Sequence, residues 1–217
     1  MLNKKQAGLT LIEMMIAMVL GLFVTAVIIT VFSTNVRSST ENIKMIRLNQ
    51  ELRGVMTLMS DELKRSGYSS DPSVGDFIED FNVSPTCIRY SYDENGDAIR
   101  DPDERFGFKL ENNTVKWTAS GGDPNTPPTA PDCGNGTWTD ITDPNLASIT
   151  TLNFDLGGSV NTNGLTSLDA LTATTGVSVY NVTVTLTGTT DLPHSSDAND
   201  PRRTMTETVR IRNEAPK

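Results

Sequence analysis

The hydrophobic pattern divides the 217-residue chain into three regimes. From Leu9 to Phe32 apolar residues follow one another with little polar interruption, and Glu13 is the single formal charge. A helix rising about 1.5 Å per residue covers roughly 36 Å over that stretch, enough to cross a hydrocarbon core. Beyond it the pattern becomes periodic. Met45, Leu48, Leu52, Val55, Met59 and Leu63 recur three or four residues apart, which draws one apolar stripe on an amphipathic helix. Between them lie Asn49, Gln50, Glu51, Arg53, Asp61, Glu62 and Lys64, a wetted face on which Asp61 and Arg65 are spaced for an ion pair. No proline interrupts residues 9 to 66, so the spacing predicts one helix. Gly21 and Gly54 mark places for bending or close approach, and Gly67 is a fitting C-terminal stop.

At Tyr68 helical periodicity ends and period-two alternation begins. Residues 87–92, 105–110 and 114–117 read as strands, with Asn112-Asn113 as a tight hairpin turn. Ile149, Leu152, Phe154 and Leu156 suggest another. Tyr180, Val182, Val184 and Leu186 alternate with Asn181, Thr183 and Thr185, and Met205, Val209 and Ile211 close the pattern. Residues 119–136 and 188–202, rich in Pro, Gly and Asp, read as loops. The predicted fold is α+β: a long N-terminal helix, membrane-spanning in its first half and amphipathic in its second, packed on an antiparallel sheet.

Composition refines this picture. The residues beyond the helix number about 150, the usual size of one domain. The net charge of -9, without a basic stripe, is a poor match for phosphate backbones, and nucleic acid is not an expected partner. A local basic patch at Arg202, Arg203, Arg210 and Arg212 is the one exception to this balance. Cys87 and Cys133 are the only cysteines, and in a compartment that permits disulfides the simplest arrangement pairs them. Spacing alone does not prove that pairing.

The N-terminal segment is not an ordinary signal peptide, because the apolar run is too long and no small-residue cleavage site follows Phe32. Lys4 and Lys5 on one side nearly balance Arg37, Lys44 and Arg47 on the other, so charge counting does not fix the orientation. Nor does a simple anchor explain Glu13, since a carboxylate in hydrocarbon costs at least ~2.5 kcal/mol and invites a partner of opposite charge.

Lys4-Lys5-Gln6-Ala7-Gly8 followed by Leu9-Thr10-Leu11-Ile12-Glu13 resembles the class III signal of type IV prepilins and type II secretion pseudopilins. The resemblance implies a leader at 1–8, cleavage between Gly8 and Leu9 by a prepilin peptidase, N-methylation of Leu9, and a role for Glu13 in subunit assembly. It divides the remainder into a transmembrane half-helix at 9–32, an amphipathic half-helix at 33–67 and a β-rich periplasmic head at 68–217. It also implies a single pass through the inner membrane, with the head in the periplasm and a place at the pilus tip on the cell surface as a further location. Leu9 stands where major pilins usually have Phe, which points toward a minor subunit. In the head, Cys87-Ile88-Arg89-Tyr90, Glu104 to Leu110, Ile141 to Asn145, Val184 to Gly188 and Arg203 to Asn213 resemble the PilW group of minor pilins. They also resemble the J-type minor pseudopilin of type II secretion. The implied partners are other minor and major pilins, the peptidase, an inner-membrane assembly platform and the lipid bilayer. A pilin stem carrying an adhesive or ligand-binding head is a third alternative.

The candidate chemistry in the head is Asp93 to Glu104. Read as a calcium loop, it places Asp93, Asn95, Asp97, Asp101 and Glu104 at alternate ligand positions. Ala98 stands where such a loop needs glycine, and Pro102 constrains the exit. The competing reading is an acidic hairpin turned at Asn95-Gly96, with no cofactor. His194 is the only histidine and no nucleophile motif accompanies it, Trp117 and Trp138 suit sheet packing, and no phosphate-binding loop occurs. These features exclude the common enzyme classes.

Overall fold

The computed structural model describes residues 10–71, 73, 77–78, 81–119, 133–134, 136–163, 176–192 and 200–211. Helix α1 spans Leu11–Arg65. The chain forms two compact units, one through Ile43 and one from Lys44 onward.

In the first unit every residue from Leu11 to Phe32 is exposed, and α1 is long and apolar enough here to cross a membrane. Its hydroxyls are bound locally. Thr25, Thr30, Thr34 and Thr40 each donate to the carbonyl four residues earlier, at 2.8 to 3.0 Å. Within the apolar run the Thr25 and Thr30 hydroxyls are thus satisfied by their own helix, as lipid requires.

In the second unit Leu48, Leu52, Val55, Met56, Met59 and Leu63 of α1 are buried and Met45 is half-buried, so the predicted stripe packs against the sheets as expected. The helix stops at Gly67, whose φ of 76° suits a residue without Cβ, and whose N–H donates to the Ser91 carbonyl. The expected Asp61–Arg65 pair is not formed. Asp61 meets Lys64 and Glu62 meets Arg65, because Tyr92 also engages the Arg65 guanidinium.

The strands are β1 (Asn82–Ser84), β2 (Cys87–Ser91), β3 (Arg105–Glu111), β4 (Thr114–Thr118), β5 (Thr139–Asp140), β6 (Ser148–Asp155), β7 (Val160–Asn161), β8 (Ser178–Val179), β9 (Asn181–Thr189) and β10 (Arg202–Arg210). They form the antiparallel head expected, divided among the described residues into two principal sheets. One has the order β1-β2-β3-β4-β5 and the other β10-β9-β6, while β7 and β8 pair alone. The physical reason is a long-range return. β6 joins β9 and places the Ile149 N–H on the Asn113 carbonyl and the Phe154 N–H on the Pro85 carbonyl, tying the second sheet to the turns of the first. Asn112 and Asn113 have φ of 53° and 59°, as a two-residue hairpin turn between β3 and β4 requires.

One core joins the helix stripe to both sheets. On the first sheet the rings of Tyr90, Tyr92, Phe106, Phe108 and Trp117 stack, Tyr92 and Phe106 most closely at 4.3 Å between centroids. On the second, Val182, Val184 and Leu186 of β9 face the helix with Leu152 and Phe154 of β6. Gly188 lies beneath α1: a Cβ there would stand 3.0 Å from Leu52 Cδ2 and 3.3 Å from both Ile149 Cδ1 and Leu48 Cδ1. Only a bare backbone lets the helix settle this close to β9.

Candidate functional site

Two polar constructions stand out, one at the start of α1 and one beyond its end. At the start, Thr10 and Glu13 cap the helix reciprocally. The Thr10 N–H and hydroxyl both donate to Glu13 Oε2, at 2.8 and 2.9 Å, and the Glu13 N–H reaches the Thr10 hydroxyl at 3.4 Å. This is the capping box of a Ser/Thr residue followed three places later by Glu. Its signal, Thr10-Leu11-Ile12-Glu13 ahead of an apolar run, was open to inspection in the sequence, but the expectation for Glu13 concerned only a partner outside its own helix. Both functions fit the same carboxylate. Oε2 is taken by Thr10, while Oε1 has no partner among the described residues. Gly8 and Leu9, where cleavage and methylation are expected, lie outside the described residues, as do His194 and Arg212.

The second construction is the β2–β3 connection. The structure brings Asp93, Asp97 and Glu104 together, with one carboxylate oxygen from each lying within 4.8 Å of the others. Asp93 is 4% exposed, and both its oxygens accept backbone N–H groups: Oδ1 from Gly96 at 2.6 Å, Oδ2 from Ser70 at 2.9 Å and Ala98 at 3.0 Å. Glu104 accepts from Glu94 and Asn95 on one oxygen and from Asp101 on the other. Asn95 accepts from the Asp97 N–H and donates to its carboxylate, and Asp97 accepts from Ile99. Thus Asn95 and Asp101 belong to the same network through hydrogen bonds, and the Asp101 carboxylate is not one of the three that converge.

Burial alone would push the Asp93 carboxyl up. The donors from Ser70, Gly96 and Ala98 outweigh it and hold the group at about 2. Ala98 adopts φ of 59°, so the missing glycine does not prevent the turn. The donor set has the chemistry of a hard-cation loop. Yet the same oxygens already fold the loop around amide N–H groups, which is what the acidic hairpin requires. The turn is nevertheless not a tight Asn95-Gly96 hairpin, because β2 and β3 register from Ser91 opposite Arg105 and leave residues 92–104 as a longer connection.

Next to this loop, Glu62 of α1 accepts from the hydroxyls of Tyr92 at 3.2 Å and Tyr90 at 3.4 Å, and Trp117 Nε1 donates to Tyr90. Burial, opposed by the Arg65 hydrogen bond and assisted by Glu62, raises Tyr92 to about 12. Both tyrosines therefore stay neutral donors, and the cluster fastens helix to sheet. Cys87 and Cys133 form a disulfide with Cα atoms 6.5 Å apart. Close by, the Arg89 guanidinium and the Lys109 ammonium lie over the Trp138 ring, 5.4 and 4.6 Å from its centre, so it packs on the sheet. Arg202, Arg203 and Arg210 all fall on β10 and are exposed.

Two family models match the chain. The family described as Prepilin peptidase-dependent protein B matches residues 41–211, and the Prokaryotic N-terminal methylation motif matches residues 3–29. Among solved structures, the type IV-like pilin TTHA1219 from Thermus thermophilus is similar, with a TM-score of 0.46 and 11% identity, covering 77% of this chain and 98% of that one. No curated protein matches the chain. With one model matching the helix start and the other nearly the whole amphipathic helix and head, the chain belongs to the prepilin peptidase-dependent protein B family, and so to the structural, non-enzymatic subunits of the type IV pilin class.

Proposed function

We propose that the chain is a minor type IV pilin of PilW type, cut between Gly8 and Leu9 and methylated at Leu9, which joins other pilins to initiate pilus assembly and sits at or near the tip. The observation that carries this reading is Glu13. It is the one charged side chain from Leu11 to Phe32, the part of the helix suited to lipid, and its Oε1 has no partner among the described residues while Oε2 caps the helix. A free terminal amine on an adjacent subunit would satisfy that oxygen and set the axial register between subunits. The Cys87–Cys133 disulfide supports a head on the oxidising side of the inner membrane, the orientation that charge counting leaves open.

The test is the variant Glu13→Gln in the producing cell. Cleavage and membrane insertion should persist, while the protein disappears from sheared filaments. Normal incorporation of the variant would remove Glu13 from the assembly step. Deletion separates the readings at the level of the system: loss of surface pili and twitching supports the pilus subunit, whereas intact pili with failed exoprotein release supports the J-type pseudopilin.

A further inference from the structure

We infer that the free edge of β10 receives an extended, acidic segment from a neighbouring pilin subunit, which adds a fourth strand to the β10-β9-β6 sheet; this rests on the chain being a filament subunit. β10 pairs with β9 through nine consecutive positions without a bulge, and it has no strand on its other side among the described residues. In an antiparallel ladder every second residue turns its N–H and C=O away from the existing partner, so this edge presents unused backbone groups. Such edges are commonly blunted by bulges, prolines or lysines, and none interrupts Arg202–Arg210.

Space for a strand is present. A groove of about 410 Å³ runs between α1 and this edge, lined by Arg53, Met56, Thr57, Met205, Thr206 and Glu207. The register assigns the faces. Met205, Glu207 and Val209 lie opposite Leu186, Val184 and Val182 on the core side, while Thr204, Thr206 and Thr208 pair by hydroxyl contacts with Thr187, Thr185 and Thr183 on the outer side. Arg202 and Arg210 bracket that threonine ladder. Neither they nor Arg53 and Arg203 form an ion pair among the described residues, and Glu207 is the only carboxylate on the strand. A chain of net charge -9 therefore carries a net positive rim around this nine-residue sheet edge. The complementary ligand is an extended segment that directs apolar side chains over Met56 and Met205 and carboxylates toward the arginines.

The experiment uses the full-length chain in detergent and a fluorescent nine-residue peptide of alternating valine and glutamate. A second peptide carries N-methyl groups on alternate amides, in both possible phases, so that charge is kept while pairing is blocked. The native chain should bind the first peptide. Binding should fall at least tenfold for one phase of N-methylation, and at least tenfold for the variant carrying Arg202→Glu and Arg210→Glu, whose melting temperature checks that it folds. Equal binding of all peptides would reduce the attraction to charge alone and overturn strand addition, as would absence of binding. Co-purification of the chain with other pilins tests the subunit reading separately. If the chain co-purifies and the arginine variant does so equally well, the edge is not the contact and the subunit reading stands. If the peptides behave as expected but no pilin accompanies the chain, the edge is an acceptor and the subunit reading falls.

Discussion

Asp93 offers a quantitative test of how the head is fastened to the end of α1. Its carboxylate joins three separate backbone N–H groups, and one of them, Ser70, belongs to the segment leaving the helix. The folded protein holds this group at about 2 against an ordinary value of 3.8. At about 1.36 kcal/mol per pKa unit, that difference corresponds to roughly 2 kcal/mol, and screening at the rim of an exposed loop brings it toward 1–2 kcal/mol. The sign follows from linkage. A depressed carboxyl binds its proton more readily in the unfolded chain, so its contribution is complete above about pH 5 and fades as the pH falls toward 2. The variant Asp93→Asn keeps the shape but turns an amide N–H₂ toward N–H donors. Denaturant unfolding in detergent, followed by the fluorescence of Trp117 and Trp138, reads the head because both tryptophans lie in it. At pH 7 the variant should be less stable by about 2 kcal/mol. The gap between wild type and variant should narrow as the pH is lowered to 2.5. A gap that stays constant from pH 7 to pH 2.5 would refute the assignment of the loop's acid sensitivity to Asp93. Because amide donors already occupy the carboxylates, millimolar calcium should leave the pH 7 curve unchanged, and a clear rise in stability would transfer the loop to the cation reading.

Four further perturbations address the core, the exposed face of α1 and the crosslink. Leu52→Ala should cost about 3 kcal/mol through the cavity it leaves, and Gly188→Val about 1–3 kcal/mol by overpacking. Combined, they should cost less than the sum, since the valine enters space that Leu52 vacates; strict additivity in urea melts would deny the helix–β9 contact. Gly54→Ala, where nothing lies within 4 Å of the new methyl, should instead stabilise the amphipathic part of α1 by roughly 0.5–1 kcal/mol in thermal unfolding. Reducing Cys87–Cys133, or replacing both with Ser, releases a crosslink between residues 46 apart and should lower stability by about 3–4 kcal/mol. A change under about 1 kcal/mol would mean that the reduced head is already constrained without it.

Much of the fold is legible because its determinants are local. The stripe from Met45 to Leu63 appears with the spacing of a helix, and the alternation through Val182, Val184 and Leu186 matches a strand with one face on the core. Asn112-Asn113 marks its turn by the tolerance of asparagine for positive φ. The division into two sheets is not local. It depends on β6 pairing with β9 across a long separation, and a register shift between Ile149 and Thr151 blurs the alternation that would have exposed it. β5, β7 and β8 have two residues each, too short for any period. The acidic loop was legible as a set of oxygens, but not the partner those oxygens choose, because the decisive donors include Ser70 from a separate segment. At Glu13 the four residues Thr10 to Glu13 carry the capping pattern themselves, and the carboxylate takes the nearest hydroxyl.

The back-bonded threonines of the first unit have a consequence for how its helix lies in lipid. With Thr25 and Thr30 each turned onto its own backbone, the stretch from Met14 to Phe32 presents little lateral polarity to distinguish one side from another. Lipid then exerts little torque on the helix about its long axis. On the reading proposed above, its azimuth would be set by a neighbour, through the Oε1 of Glu13 that has no partner among the described residues.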